Sequence, residues 1–273
     1  MKKYVNLFVF VFMVGACFSQ GKAQTKSAVS YKNPVVDIAM PDPTVIKAAD
    51  GYFYVYATES TRNVPIMKSK DLVQWTFCNT AFTNKTRPRF EPKAGIWAPD
   101  INYINNKYVL YYAMSVWGGE QTCGIGVATA DSPQGPFTDH GKMFRSNEIG
   151  VQNSIDPSFL QYEGRNYLGW GSFRGIYVIE LTEDGLSLKP GAEKKRIAGT
   201  AFEAAYIHKH GDYYYMFASI GSCCEGIRST YKVVVGRSKK VWGPYKDKSG
   251  KPMLKNGYSL VIGANDHFVG NGH

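Results

Sequence analysis

One unit recurs four times along this 273-residue chain: an acid, a short apolar strand, a tight turn and an aromatic strand. Asp42-Pro43-Thr44-Val45-Ile46 runs through Asp50-Gly51 into Tyr52-Phe53-Tyr54-Val55-Tyr56-Ala57. Trp97-Ala98-Pro99-Asp100-Ile101 runs through Asn105-Asn106 into Tyr108-Val109-Leu110-Tyr111-Tyr112-Ala113. Asp156-Pro157-Ser158-Phe159-Leu160 leads to Glu163-Gly164 and Tyr167-Leu168-Gly169-Trp170. Glu203-Ala204-Ala205-Tyr206-Ile207 leads to His210-Gly211 and Tyr213-Tyr214-Tyr215-Met216-Phe217-Ala218. The leading acids stand 58, 56 and 47 residues apart (42 to 100, 100 to 156, 156 to 203). A period near 50 with several short strands per repeat marks a β-propeller. No long window carries a 3.6-residue apolar period, so the expected class is all-β. The first strand of each blade lines the axis, so acids far apart in sequence converge there. Read this way, Asp42, Asp100, Asp156 and Glu203 share one repeat position.

Gly270-Asn271-Gly272-His273 opens a fifth unit, where the sequence ends. Five blades of about 55 residues starting near residue 33 would run to about residue 308. The expected fold is therefore a five-bladed β-propeller over residues 31–273, its fifth blade truncated at the C-terminus.

Met1-Lys2-Lys3 and the apolar run through Leu7-Phe8-Val9-Phe10-Val11-Phe12-Met13 read as an export signal over residues 1–24. Val14-Gly15-Ala16-Cys17 resembles a lipobox, which leaves two outcomes: lipidation of Cys17, or cleavage near Ala23-Gln24. The product is expected in the periplasm, outside the cell or anchored at its surface. Residues 1–24 hold three lysines and no acid, so their removal takes the formal charge from +10 to +7. The remaining basic residues are scattered, in clusters such as Lys68-Ser69-Lys70 and Lys194-Lys195-Arg196. No nucleic-acid motif accompanies them. Cys78, Cys123, Cys223 and Cys224 match no zinc spacing, and export permits disulfides among them.

These motifs together resemble glycoside hydrolase family 43, and within it the arabinan-cleaving endo-arabinanases. The resemblance is carried by Pro41-Asp42-Pro43-Thr44-Val45-Ile46, Trp97-Ala98-Pro99-Asp100-Ile101, Asn153-Ser154-Ile155-Asp156-Pro157-Ser158-Phe159 and Phe202-Glu203-Ala204-Ala205-Tyr206-Ile207. Ala205 stands where the family has proline. Gly221-Ser222-Cys223-Cys224-Glu225-Gly226 with Ser229-Thr230-Tyr231, and Gly270 to His273, are similar to later family phrases.

The resemblance implies inverting hydrolysis of α-1,5-linked arabinofuranosyl bonds. Asp42 would be the general base, Glu203 the general acid and Asp156 the group that keeps Glu203 protonated. Inversion needs one carboxylate to deprotonate a water and one carboxyl to protonate the leaving oxygen. A nearby ionised carboxylate raises its neighbour's pKa. Asp100 reads as structural. Trp97 and Trp117 are expected to stack on sugar faces. Asn153, Ser154, Ser172, Phe173 and Arg174 are expected to line the cleft. His273 would sit on the axis beside a structural calcium, and the chemistry needs no cofactor. An exo-acting arabinofuranosidase or β-xylosidase of the same fold, and a non-catalytic sugar-binding propeller, remain as alternatives.

Overall fold

The computed structural model describes residues 30–266, 268–270 and 272. The signal expected over residues 1–24, with Cys17, lies outside them. All sixteen described strands belong to the unit Asn33–His273, distinct from Met1–Lys32. They form four antiparallel four-stranded sheets, each a meander in chain order. The first holds β1 (Thr44–Lys47), β2 (Phe53–Tyr56), β3 (Pro65–Ser69) and β4 (Thr76–Thr80). The second holds β5 (Gly95–Ile104), β6 (Lys107–Ser115), β7 (Gly124–Ala130) and β8 (Thr138–Arg145). The third holds β9 (Ser158–Tyr162), β10 (Arg165–Trp170), β11 (Ile176–Glu180) and β12 (Lys195–Ala198). The fourth holds β13 (Glu203–His210), β14 (Tyr213–Ile220), β15 (Lys232–Ser238) and β16 (Ser259–Ile262).

The sheets stack through their faces, and the aromatic strands explain why. A strand sends alternate side chains to opposite faces. In β6, Tyr108, Leu110, Tyr112 and Met114 enter a core shared with the first sheet, beside Tyr54, Tyr56 and Ile66. The intervening Val109 and Tyr111 enter a second core, beside Leu168, Trp170 and Ile179 of the third sheet. A third core, with Leu160, Val178, Phe202, Met216 and Val234, joins the third and fourth sheets. A strand that is apolar on both faces therefore belongs between two blades. The first strands meet in sequence, β1 with β5, β5 with β9 and β9 with β13, as around a propeller axis.

The architecture is thus an all-β propeller with four sheets among the described residues, where five blades were expected. Gly270 and Gly272 carry no strand. A strand needs a paired neighbour to satisfy its backbone groups, and so short a segment provides none. Asn271 and His273 lie outside the described residues.

The backbone also corrects the repeat register. Asp42, Ala98, Asp156 and Ala204 have positive φ, at 51°, 41°, 57° and 54°. Proline follows the first three, and Ala205 follows the fourth. Asp42 and Asp156 therefore share a position, but Glu203 lies one residue earlier, level with Trp97. Asp100 lies two residues later, level with Thr44, Ser158 and Tyr206. Pairing slips at the same points, between Trp97 and Asp100 against β6 and between Glu203 and Tyr206 against β14. These are bulges, which re-aim the side chains beside them.

Candidate active site

Three carboxylates from three blades stand at or just before the starts of the inner strands. Asp42 precedes β1 and accepts a hydrogen bond from Thr58 Oγ1. Thr58 is itself fixed, because Ala98 N–H donates to its Oγ1 at 2.7 Å. Asp156 is 7% exposed, and its Oδ2 accepts from Ala204 N–H at 3.2 Å. That bond ties Asp156 to the residue after Glu203 across the blade boundary. Glu203 is also 7% exposed. Its Oε2 accepts from Ser172 Oγ at 2.6 Å and its Oε1 from Tyr231 Oη. Asn153 Nδ2 donates to Ser172 Oγ at 2.9 Å and to Ser172 O at 3.2 Å.

Two further groups sense the charges of these acids. Burial, then the charge of Glu203 and its hydrogen bond, then Asp156 and Cys223, push the Tyr231 hydroxyl well above the ordinary tyrosine range. Burial, then Cys224, Glu203 and Asp42, push the Cys223 thiol up to about 12. Cys223 thus feels both Glu203 and Asp42.

Asp100 does different work. Its Oδ2 accepts from Phe159 N–H at 2.6 Å and from Asn102 Nδ2 at 2.8 Å, and its Oδ1 from Thr44 Oγ1 at 3.5 Å. It links the inner strands of three blades.

The expected sugar contacts divide. Trp117 is 77% exposed and its ring leans on Trp97, with centroids 5.6 Å apart. Trp97 in turn packs on Ala113, Cys123 and Ile155. Gly95 makes room for it, since a Cβ there would lie 2.4 Å from Trp97 Nε1. Arg174 is exposed and forks onto Glu120 at 2.8 and 3.0 Å, bracing the loop that carries Trp117. Phe173 is half-buried, with φ at 52°. Ser154 does not join the surface. It is fully buried, donates to Val151 O at 2.8 Å and accepts from Trp170 Nε1 at 3.1 Å. Its flanking position beside Asp156 belongs to the core instead. Ser172 is likewise buried and faces Glu203.

Thr58 and Tyr231 carry no signal in the repeat pattern, although Tyr231 stands in the Ser229-Thr230-Tyr231 phrase. His273 lies outside the described residues. Among the described residues no group of three or more His, Cys, Asp or Glu side chains is arranged to hold a metal.

The glycosyl hydrolases family 43 model matches residues 31–273. The chain belongs to glycoside hydrolase family 43. Among family relatives, it is 38% identical over 245 residues to an extracellular endo-α-(1→5)-L-arabinanase of Bacillus subtilis, covering 85% of this chain and 75% of that protein. It is 35% identical over 260 residues to an extracellular exo-α-(1→5)-L-arabinofuranosidase of Cellvibrio japonicus, covering 85% and 73%. The solved α-L-arabinanase of Cellvibrio cellulosa superposes with a TM-score of 0.78 at 33% identity, covering 85% of this chain and 81% of that one. The same protein has been solved with arabinohexaose.

Proposed function

We propose that this family 43 chain hydrolyses α-1,5-linked arabinofuranosyl bonds of arabinan with inversion. Asp42 is the general base, Glu203 the general acid and Asp156 the group that keeps Glu203 protonated. One observation carries this reading. Asp42 is held by Thr58, and Glu203 is held by Ser172 and Tyr231 with Asp156 bonded to the next residue's N–H.

Asp42 takes a proton from a water as that water attacks the anomeric carbon. Glu203 gives its proton to the leaving oxygen as the glycosidic bond breaks. Inverting pairs stand roughly 6.5–9.5 Å apart so that the water fits between them. Asp156 opposes ionisation of Glu203 by charge repulsion. The buried surroundings of both strengthen that repulsion. Trp117 and Trp97 offer two apolar ring faces, inclined at 50° to one another, to the furanose rings. Asn153, Phe173 and Arg174 border them.

The propeller reading extends to five blades, with Gly270–His273 opening the fifth and His273 toward the axis. Export rests on residues 1–24 and on two relatives named as extracellular. The mass of the mature N-terminus separates cleavage near Ala23-Gln24 from lipidation of Cys17.

A second reading, exo action, is supported by the Cellvibrio japonicus relative. The test is hydrolysis of linear arabinan by wild type, Asp42→Asn and Glu203→Gln. Wild type is expected to release short oligomers, and both variants to lose at least about 100-fold in kcat. Release of monosaccharide alone selects exo action. Unchanged hydrolysis in both variants overturns the catalytic assignment, and binding of arabinan without any hydrolysis by wild type favours a sugar-binding propeller.

A further inference from the structure

Glu203 needs a defined orientation, and two hydroxyls supply it from opposite ends. Ser172 holds Oε2, and its own direction is set by Asn153. Tyr231 holds Oε1 from a different element. It follows the loop 221–230 and immediately precedes β15. That loop is closed on itself, with Thr230 N–H donating to Ser222 O at 3.0 Å and Ser222 N–H to Thr230 Oγ1 at 3.0 Å. The Tyr231 ring is also pinned from the C-terminal side. A Cβ on Gly272 would lie 2.0 Å from its Cδ1, and one on Gly270 would lie 3.5 Å from its Cβ. Only glycine lets the chain pass so close. The phenol therefore has little freedom to leave Glu203.

We infer that Tyr231 is a positioning residue for Glu203, its hydroxyl fixing the carboxyl in the orientation that delivers a proton to the glycosidic oxygen. This rests on the reading of Glu203 as the general acid. The Tyr231 proton is held so tightly that the hydroxyl is a donor throughout the neutral range. A donor favours the ionised form of the carboxyl it serves. Tyr231 thus opposes Asp156, and the two together set the pH at which Glu203 loses its proton. Among the described residues, the titratable groups around Glu203 include Asp42, Asp156, Cys223 and Tyr231, with Cys224 beside Cys223.

The sign follows. Removing the hydroxyl removes a bond to the carboxylate, so Glu203 holds its proton to higher pH. The alkaline limb of kcat/KM, which reports the acid, moves upward. Charge-assisted bonds of this kind correspond to a shift of about one pH unit.

The experiment compares the full wild-type chain with Tyr231→Phe, which keeps the ring against Gly272. Two substrates are used: an arabino-oligosaccharide, and the same oligosaccharide with a nitrophenyl leaving group, which departs without a proton. On the first, Tyr231→Phe is expected to lose about tenfold or more in kcat with KM within about twofold, and to show the raised alkaline limb. On the second it is expected to stay near wild type. Substitution of 3-fluorotyrosine at position 231, a stronger donor of nearly the same shape, is expected to move the limb downward. It also serves if the Phe variant does not fold. A limb that stays put in every folded variant, or equal losses on both substrates, overturns the inference. Glu203→Gln separates this from failure of the underlying reading. If it loses the plain oligosaccharide but keeps the nitrophenyl one, Glu203 is the acid and the Tyr231 result stands alone. If it keeps both, the acid assignment falls and the inference falls with it.

Discussion

Cys223 and Cys224 are neighbours in sequence and differ in chemistry. Cys224 is exposed, whereas Cys223 is partly buried against Glu203 and Asp42. Both are free thiols. With its thiol pushed to about 12, Cys223 carries roughly one thiolate in ten thousand at pH 8, and thiolate is the reactive form. Iodoacetamide at pH 8 is therefore expected to label Cys224 well before Cys223, as read by peptide mass spectrometry. Labelling of Cys223 first would mean that burial, Cys224 and the charges of Glu203 and Asp42 do not suppress its thiolate. At this scale the sequence exposed the acids but not their holders. Asp42 and Asp156 were legible because Asp-Pro recurs at one repeat position. Glu203 was legible only through the repeat, and its true register was hidden. The positive φ at Ala204 leaves no mark on an alanine, and the proline that marks the other blades is missing. Thr58 and Tyr231 were illegible as holders of Asp42 and Glu203, because a hydroxyl's partner is chosen by folding and not by spacing. Ser154 shows the converse. It flanks Asp156 closely in sequence, yet the segment before β9 turns it inward to Trp170.

Between the strands, one buried ion pair sets the end of β2 against the start of β5. Glu59 accepts from both Arg87 amino groups, from Asn63 N–H at 2.8 Å and from Ile96 N–H at 3.0 Å. Arg87 also donates to Ala94 O at 2.8 Å. The side chains are 9% and 7% exposed. Glu59 is next to Thr58, and Ile96 is next to Trp97, so this clip sets both the holder of Asp42 and the aromatic platform. Burial raises the Glu59 carboxyl, but Arg87 and the two backbone donors outweigh it and hold it below the ordinary 4.5. A carboxyl lowered on folding stabilises the fold above its unfolded value and loses that contribution as pH falls through the folded one. Glu59→Gln leaves a buried guanidinium uncompensated and is expected to cost about 3–5 kcal/mol. Thermal melts from pH 7 to pH 3 check both points. Wild type should weaken progressively below about pH 4.5, and the variant should start lower and fall less steeply. Parallel curves would show that Glu59 contributes nothing to the acid sensitivity. The strands themselves were legible, since alternating aromatic runs leave few other folds. The clip was not, because Glu59 and Arg87 lie in irregular segments where no periodicity guides the eye.

Across the whole molecule, the repeat announced a propeller, and the stacking of the sheets follows from strands apolar on both faces. The blade count was less legible. A repeat motif can be recognised in a few residues, but a blade exists only when its strands pair, and Gly270 and Gly272 pair with nothing among the described strands. The blades also need fastening near the axis, where the inner strands approach but do not form one sheet. Asp100 supplies that by accepting from Phe159 of the third sheet and Thr44 of the first while sitting in the second. Its place in the repeat suggested kinship with the acids of the site, yet it stands two residues past Asp42 and Asp156 in register and is occupied by backbone. Asp100→Ala is therefore expected to weaken the fold rather than the chemistry. Losing a partly buried acceptor of a backbone N–H costs about 2 kcal/mol, or roughly 4–8 °C in Tm for a domain of this size. Activity per folded molecule on linear arabinan, measured well below the melt, should stay within about threefold of wild type. An unchanged Tm with a loss near that of Glu203→Gln would reverse the assignment, making Asp100 a reacting group and the inter-blade bonds incidental.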